Sequence, residues 1–162
     1  MKKIKKIGVD YHGVINVNPD FFQKFNALAI KQNIDISVIS GGHERDVRLY
    51  LEDHHILYNH IFSLLDYFTS KNMVTFYEDG SFFVANDVWN RAKARYCFEN
   101  NIDVHIDDSM LYGTYFQTPF CLYSNTLKNC VLIKKNIQVR FDQSPQQVLK
   151  NLEQAYSNLA KK

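Results

Sequence analysis

The sequence predicts an α/β sandwich built on a mostly parallel sheet. Short apolar runs rich in Ile and Val alternate with stretches whose apolar residues recur at helical spacing. No Gly/Ser linker, internal repeat or low-complexity tract divides the 162 residues, so a single domain over 1–162 is expected. Hydrophobic residues outnumber charged ones by 46% to 22%, enough apolar surface to bury one core.

Residues 4–10 read as a buried strand, because Ile4, Ile7 and Val9 run up to Asp10 without a breaker. Residues 19–33 read as a helix capped by Asn18, with Pro19 in its first turn and Phe21, Phe22, Phe25, Leu28 and Ala29 as the apolar positions. A second strand covers 36–40. After Gly41 and Gly42, residues 43–55 carry Val47, Leu49, Tyr50 and Leu51 in helical company, and 58–65 suit a short strand. The β-prone runs 74–77 and 81–84 flank Glu78, Asp79 and Gly80, which predicts a β-hairpin with an exposed Asp-Gly turn. Asn86 or Asp87 caps a helix to about residue 100. Strands follow at 103–106, at 120–123 after Pro119, and at 131–133 as a last edge. Residues 145–160 close the chain as an amphipathic helix with Val148, Leu149, Leu152, Ala155, Tyr156 and Leu159 on one side. Strands alternating with helices place a ligand site beyond the carboxyl ends of the strands.

Composition narrows the partners. Nineteen Lys plus Arg against seventeen Asp plus Glu leave only +2, too balanced to indicate nucleic acid or an anionic membrane surface. Lys2, Lys3, Lys5 and Lys6 read as the solvated approach to the first strand. Neither a signal-like apolar run nor a membrane-length one occurs, which points to a cytoplasmic protein with no membrane partner. Cys97, Cys121 and Cys130 lack metal-knuckle spacing and are odd in number, so they read as reduced core thiols.

Asp10, Ser40 and the pair Asp107 and Asp108 each end a predicted strand, so three strand ends converge. Carboxylates after apolar strands are costly to bury unless a cation or donors compensate them, and all-oxygen ligands of this kind suit Mg²⁺. The same residues also suit helix caps or turns on a wet sheet edge.

The stretch Ile7-Gly8-Val9-Asp10-Tyr11-His12-Gly13-Val14-Ile15 resembles the opening signature of the haloacid dehalogenase superfamily, an apolar strand followed by Asp-x-Asp and Gly. The family's second motif, a strand ending in Ser or Thr before Gly, is matched thirty positions later by Ile36-Ser37-Val38-Ile39-Ser40-Gly41-Gly42. Its basic third motif is matched by Lys93, with Arg91 and Arg95 as neighbours that a helix could present instead. Its acidic fourth is matched by Val104-His105-Ile106-Asp107-Asp108, Asp107 lying fourteen positions after Lys93. The resemblance spans residues 7–108 and implies a three-layer α/β/α sandwich and a phosphatase.

In such an enzyme Asp10 is the nucleophile, forming an aspartyl-phosphate. Mg²⁺ is held by Asp10, the backbone carbonyl of His12, and Asp107 with Asp108 nearby. The Ser40 hydroxyl and the Gly41 amide hold the phosphoryl oxygens, with Gly42 completing the substrate-binding loop, and Lys93 supplies positive charge.

The chain departs from the family pattern at His12, where phosphatases of this kind carry a second aspartate that protonates the leaving group. An imidazole can carry that proton near neutral pH. His12 is therefore read as a substitute acid/base, and the alternative is a non-catalytic module that binds a phosphoryl ligand or a protein. Dehalogenation of a small organic acid would use the same aspartate but has no need of Asp107 and Asp108 as metal ligands.

Neither gap between motifs has room for a large cap domain. The chain reads as a capless member, with residues 11–18 as a flap and the hairpin over 75–84 as the candidate lid. Such an open site takes bulky substrates or borrows a neighbour's surface, so a phosphorylated small molecule is the expected partner and a homo-oligomer one way to cover the site. His43 and Arg45 sit at a helix start that faces the phosphate in this arrangement. Phe116, Thr118, Phe120 and Tyr123 suit a pocket wall or the core, and His54 and His55 suit a helix end.

Overall fold

Ile7 and Val9 of β1 (Lys6–Asp10) are fully buried on one side of the strand, and Gly8 and Asp10 point to the other. Strands buried on both faces need helices on both, and the computed structural model, which describes residues 2–159 and Lys161, has them. After β1 come α1 (Pro19–Lys31), β2 (Asp35–Ser40), α2 (Glu44–Asp53), β3 (His60–Ser63) and α3 (Leu64–Ser70). A hairpin of β4 (Thr75–Phe76) and β5 (Phe82–Phe83) leads into α4 (Asn86–Glu99). β6 (Val104–Asp107), the short α5 (Met110–Gly113), β7 (Phe120–Ser124), β8 (Asn129–Leu132), β9 (Ile137–Arg140) and α6 (Pro145–Leu159) complete the chain.

The main sheet has seven strands in the order β3-β2-β1-β6-β7-β8-β9. The first five are parallel, and β8 and β9 extend it antiparallel. One core cluster joins the Ile7 and Val9 face to Phe22 and Phe25 of α1, Val47 and Leu51 of α2, and Val148, Leu149 and Leu152 of α6. The other lies under α3 and α4, where Ile39 packs with Leu64, Phe68, Ala92 and Cys97. The chain moves outward from β1 to β3 and then returns to the opposite flank of β1 to form β6. This reversal opens a crevice between β1 and β6 at their carboxyl ends, the usual ligand position in open α/β sheets.

Several expectations need correction. The strand expected to run to Leu65 ends at Ser63, whose hydroxyl accepts the Asp66 N–H at 3.0 Å and caps α3, a helix absent from the sequence reading. Residues 131–133 were expected at the sheet edge, but β8 is internal and β9 forms the edge. Asn18 and Asn86 make no side-chain cap bond, and Ala85 occupies the cap position of α4. The first strand begins at Lys6 rather than Ile4. Residue 160, expected to end the last helix, lies outside the described residues. Antiparallel pairing of β7 with β8 brings the Cα atoms of Cys121 and Cys130 to 5.5 Å, and the two form a disulfide instead of standing as separate thiols. Cys97 is free and buried. Among the described residues no helix is long and apolar enough to cross a membrane.

Candidate active site

The register of the parallel pairs decides which side chains meet. Gly8 lies opposite His105 and Val9 opposite Ile106, so Asp10 and Asp107 emerge side by side at the ends of β1 and β6, both on the α4 face. Asp10 and Asp107 are almost wholly buried, and one oxygen from each, with one from Asp108, lie within 4.8 Å of one another. Two buried carboxylates at this distance need a counter-charge. Lys93 supplies it, its Nζ donating to Asp10 Oδ1 and to Asp107 Oδ2 at 3.0 Å each, with Tyr112 presenting its ring face 4.3 Å from the ammonium.

Helical spacing makes Lys93 the one that reaches in. Lys93 is buried together with Ala92 and Ala94, whereas Arg91 and Arg95 are exposed. Arg91 lies over Tyr115, and Arg95 pairs with Glu99. Burial opposes the Lys93 charge, but the two carboxylates outweigh it and hold its pKa above the ordinary lysine value.

The same forces push the two acids apart. Burial first, then repulsion from Asp107 and Asp108, lifts Asp10 well above the usual carboxylate range despite Lys93. Burial acts on Asp107 too, but its bonds to His105 and Lys93 prevail and hold it at about 2. His105 Nε2 lies 3.0 Å from Asp107 Oδ2, and the ring stacks on Phe116 at a centroid distance of 5.0 Å. Burial keeps its pKa low, so the neutral ring with its proton on Nε2 is the form that donates to Asp107. The sequence reading passed over His105 as part of a strand. Its signal was a histidine two positions before Asp107, hence on the same face.

Beyond β1 the chain makes a wide turn, Tyr11–Ile15, in which His12 is extended and Gly13 is left-handed at φ 79°. The turn is closed by the Gly13 N–H donating to Asn16 Oδ1 at 2.7 Å and the Asn16 N–H to Tyr11 O at 3.1 Å. A Cβ on Gly13 would collide with the Asp108 carboxylate and would also sit at a φ that costs an L-residue energy. Gly13→Ala is therefore expected to destabilise the protein by about 1–3 kcal/mol, read as a lower unfolding midpoint. A variant that melts with the wild type would show that the turn and Asp108 can move apart freely.

On the other flank of β1, Ser40 is fully buried, and its Oγ accepts the Gly42 N–H at 3.0 Å, which leaves its own hydrogen free to donate. Ser63 Oγ donates to Gly42 O at 2.5 Å, so the Ser40-Gly41-Gly42 loop is fixed from the end of β3. His12 projects beside this loop: a Cβ on Gly42 would lie 3.6 Å from both the His12 ring and Ser40 Oγ. Its pKa is lowered, by partial burial first and then by Lys93, against the pull of Asp108.

Three sequence candidates are engaged elsewhere. His43 Nδ1 meets Asp66 Oδ1 at 2.9 Å while Asp66 Oδ2 accepts the Glu44 N–H, so this pair caps α2. Arg45 is exposed beside Asp46. His54 stacks on Tyr50 at 3.9 Å, away from the carboxylates. A largely apolar cavity of about 340 Å³ between α3 and α4, with Phe62, Phe68 and Tyr96 in its wall, is lined by none of Asp10, Asp107 and Asp108. The structure thus brings together Asp10, His12, Ser40, Gly41, Gly42, Lys93, Asp107 and Asp108. No protein-family model matches the chain, and no curated protein matches it.

Proposed function

We propose that the chain is a Mg²⁺-dependent phosphohydrolase of the haloacid dehalogenase type, acting on a phosphate monoester through an aspartyl-phosphate on Asp10. The observation that carries this reading is the buried Asp10–Lys93–Asp107 cluster at the β1/β6 crevice, with Asp108 and the Ser40 loop on either side. The oxygen-only donor set fits a hard divalent cation, and the burial and carboxylate repulsion that raise Asp10 are what such a charge offsets. Asp10, Asp107, Asp108 and the His12 carbonyl would hold Mg²⁺, which supplies charge neutralisation between carboxylate and phosphate.

Lys93 occupies Asp10 Oδ1, and Oδ2 accepts no donor among the described residues, so Oδ2 is the free nucleophile. It attacks phosphorus while the bond to the leaving oxygen breaks, and the His12 imidazolium gives that oxygen its proton. The Ser40 hydroxyl and the Gly41 amide receive the charge on the phosphoryl oxygens. Neutral His12 then takes a proton from water, whose oxygen attacks phosphorus. The bond to Asp10 breaks, and phosphate, the Asp10 carboxylate and the His12 imidazolium result.

The direct test is release of inorganic phosphate from an aryl phosphate and a panel of alkyl esters, with and without Mg²⁺. Metal-dependent release is expected, and its absence across the panel favours the phosphoryl-binding module. The lowered His12 pKa predicts the pH profile. Because the acid form dominates only below that pKa, kcat/KM for an alkyl ester should fall as pH rises through a value under 6.5. An alkyl leaving group is needed because a nitrophenolate departs without a proton. A falling limb that persists unchanged in His12→Ala would remove His12 from this role.

A further inference from the structure

The hairpin of β4 and β5 carries more exposed aromatic surface than its burial explains. Phe76 is 53% exposed, Tyr77 52%, Phe82 38% and Phe83 52%. A ladder of two pairs is too short to stand alone in water. Here it leans on α4, where Phe82 packs against Trp89 at 5.5 Å. Phe76 and Phe82 are direct cross-strand partners and so share a face, their rings 6.5 Å apart. The edge of Trp89 lies over the phosphate loop, close enough that a Cβ on Gly41 would sit 3.0 Å from an indole carbon. A continuous row of rings therefore starts at Gly41 and runs outward through Trp89 and Phe82 to Phe76.

We propose that this row is the leaving-group subsite and that the substrate is a nucleoside monophosphate whose base stacks on it. The proposal rests on the phosphohydrolase reading and names the substrate class for the same site. The row adjoins the Ser40-Gly41-Gly42 loop beside which His12, the proposed leaving-group acid, also projects. Its length selects a spacer: an aryl group bonded directly to the phosphate oxygen reaches only the first ring. A pentose between phosphate and base carries a planar ring on to Phe82. Charge selects a mononucleotide over a strand, since the acidic side chains of residues 74–84, Glu78 and Asp79, have no Lys or Arg beside them in that segment and repel a phosphodiester backbone. Base stacking on aromatic side chains tolerates any base.

Trp89 is the only tryptophan of the chain and reports directly on its own subsite. In Asp10→Asn, which cannot form the covalent intermediate, uridine and adenosine monophosphates should quench Trp89 fluorescence saturably in the presence of Mg²⁺, whereas ribose 5-phosphate should not. Phe76→Ala combined with Phe82→Ala should weaken nucleotide binding about tenfold. Phe76→Ala alone, at an exposed position, gives the same direction if the double variant fails to fold. Ribose 5-phosphate binding as tightly as the nucleotides, nucleotide affinity unchanged in the variants, or no saturable quenching would each overturn the proposal. The phosphohydrolase reading fails by a separate result, the absence of phosphate release by the wild type from every ester, with or without a base.

Discussion

Under the proposed mechanism Asp10→Asn should abolish phosphate release, with an expected loss of about 10⁴-fold or more, because the amide cannot form the phosphoryl bond. Lys93 already spans Asp10 and Asp107, and Asp107 has both oxygens engaged, Oδ2 by Lys93 and His105 and Oδ1 by the Ser109 N–H. Of this buried pair, Asp10 Oδ2 is the oxygen that accepts no donor among the described residues. The substitution is nearly isosteric and removes one of three mutually repelling acids, so the fold should survive and the loss should fall on kcat. Retention of more than about a tenth of wild-type turnover would exclude Asp10 as nucleophile.

Lys93→Met should lower the stability of the metal-free protein by about 3–5 kcal/mol at neutral pH, because it leaves two buried carboxylates without their cation. The unfolding midpoint should fall by about 10 °C or more in a chain of this size. The pH dependence of this penalty is fixed in sign. Asp10 is already raised above its unfolded value of 3.8, and loss of Lys93 raises it further. The folded variant then binds a proton that the unfolded chain does not, and its deficit shrinks as pH falls towards 3.8. Asp10→Asn in the same background should recover part of the loss, a coupling that a thermodynamic cycle measures. Equal melting of Lys93→Met and wild type at pH 7 would show that Lys93 does not neutralise the pair.

Much of the architecture was legible because the strands that build the crevice are apolar and almost wholly buried. β1 and β2 end at Asp10 and Ser40 as the hydrophobic runs indicate, β6 runs one residue past its expected end to include Asp107, and Lys93 lies on the inward side of α4 between two alanines. The parts that were not legible lack periodicity. β9 has only Ile137 and Val139 to mark it, and α3 begins inside an apolar run where the Ser63 cap was the only punctuation. The disulfide depends on the antiparallel return of β8, which no spacing in the chain displays. Candidates were lost to local structure for a related reason: the Asp66 that claims His43 lies twenty-three positions away, and its approach is fixed by the β2–β3 pairing. His105 and Trp89 were missed because each sits in an element that already had a role as core or helix.

The proposed chemistry turns on a covalent bond between Asp10 and phosphorus, and rapid acid quench of the protein during turnover of an aryl phosphate, followed by intact mass and peptide mapping, observes that bond. The account predicts a chain heavier by one phosphoryl group, mapped to the peptide that contains Asp10 and missing from Asp10→Asn. Phosphate release at full rate with no phosphorylated chain at any quench time, and with Asp10→Asn still active, would contradict it.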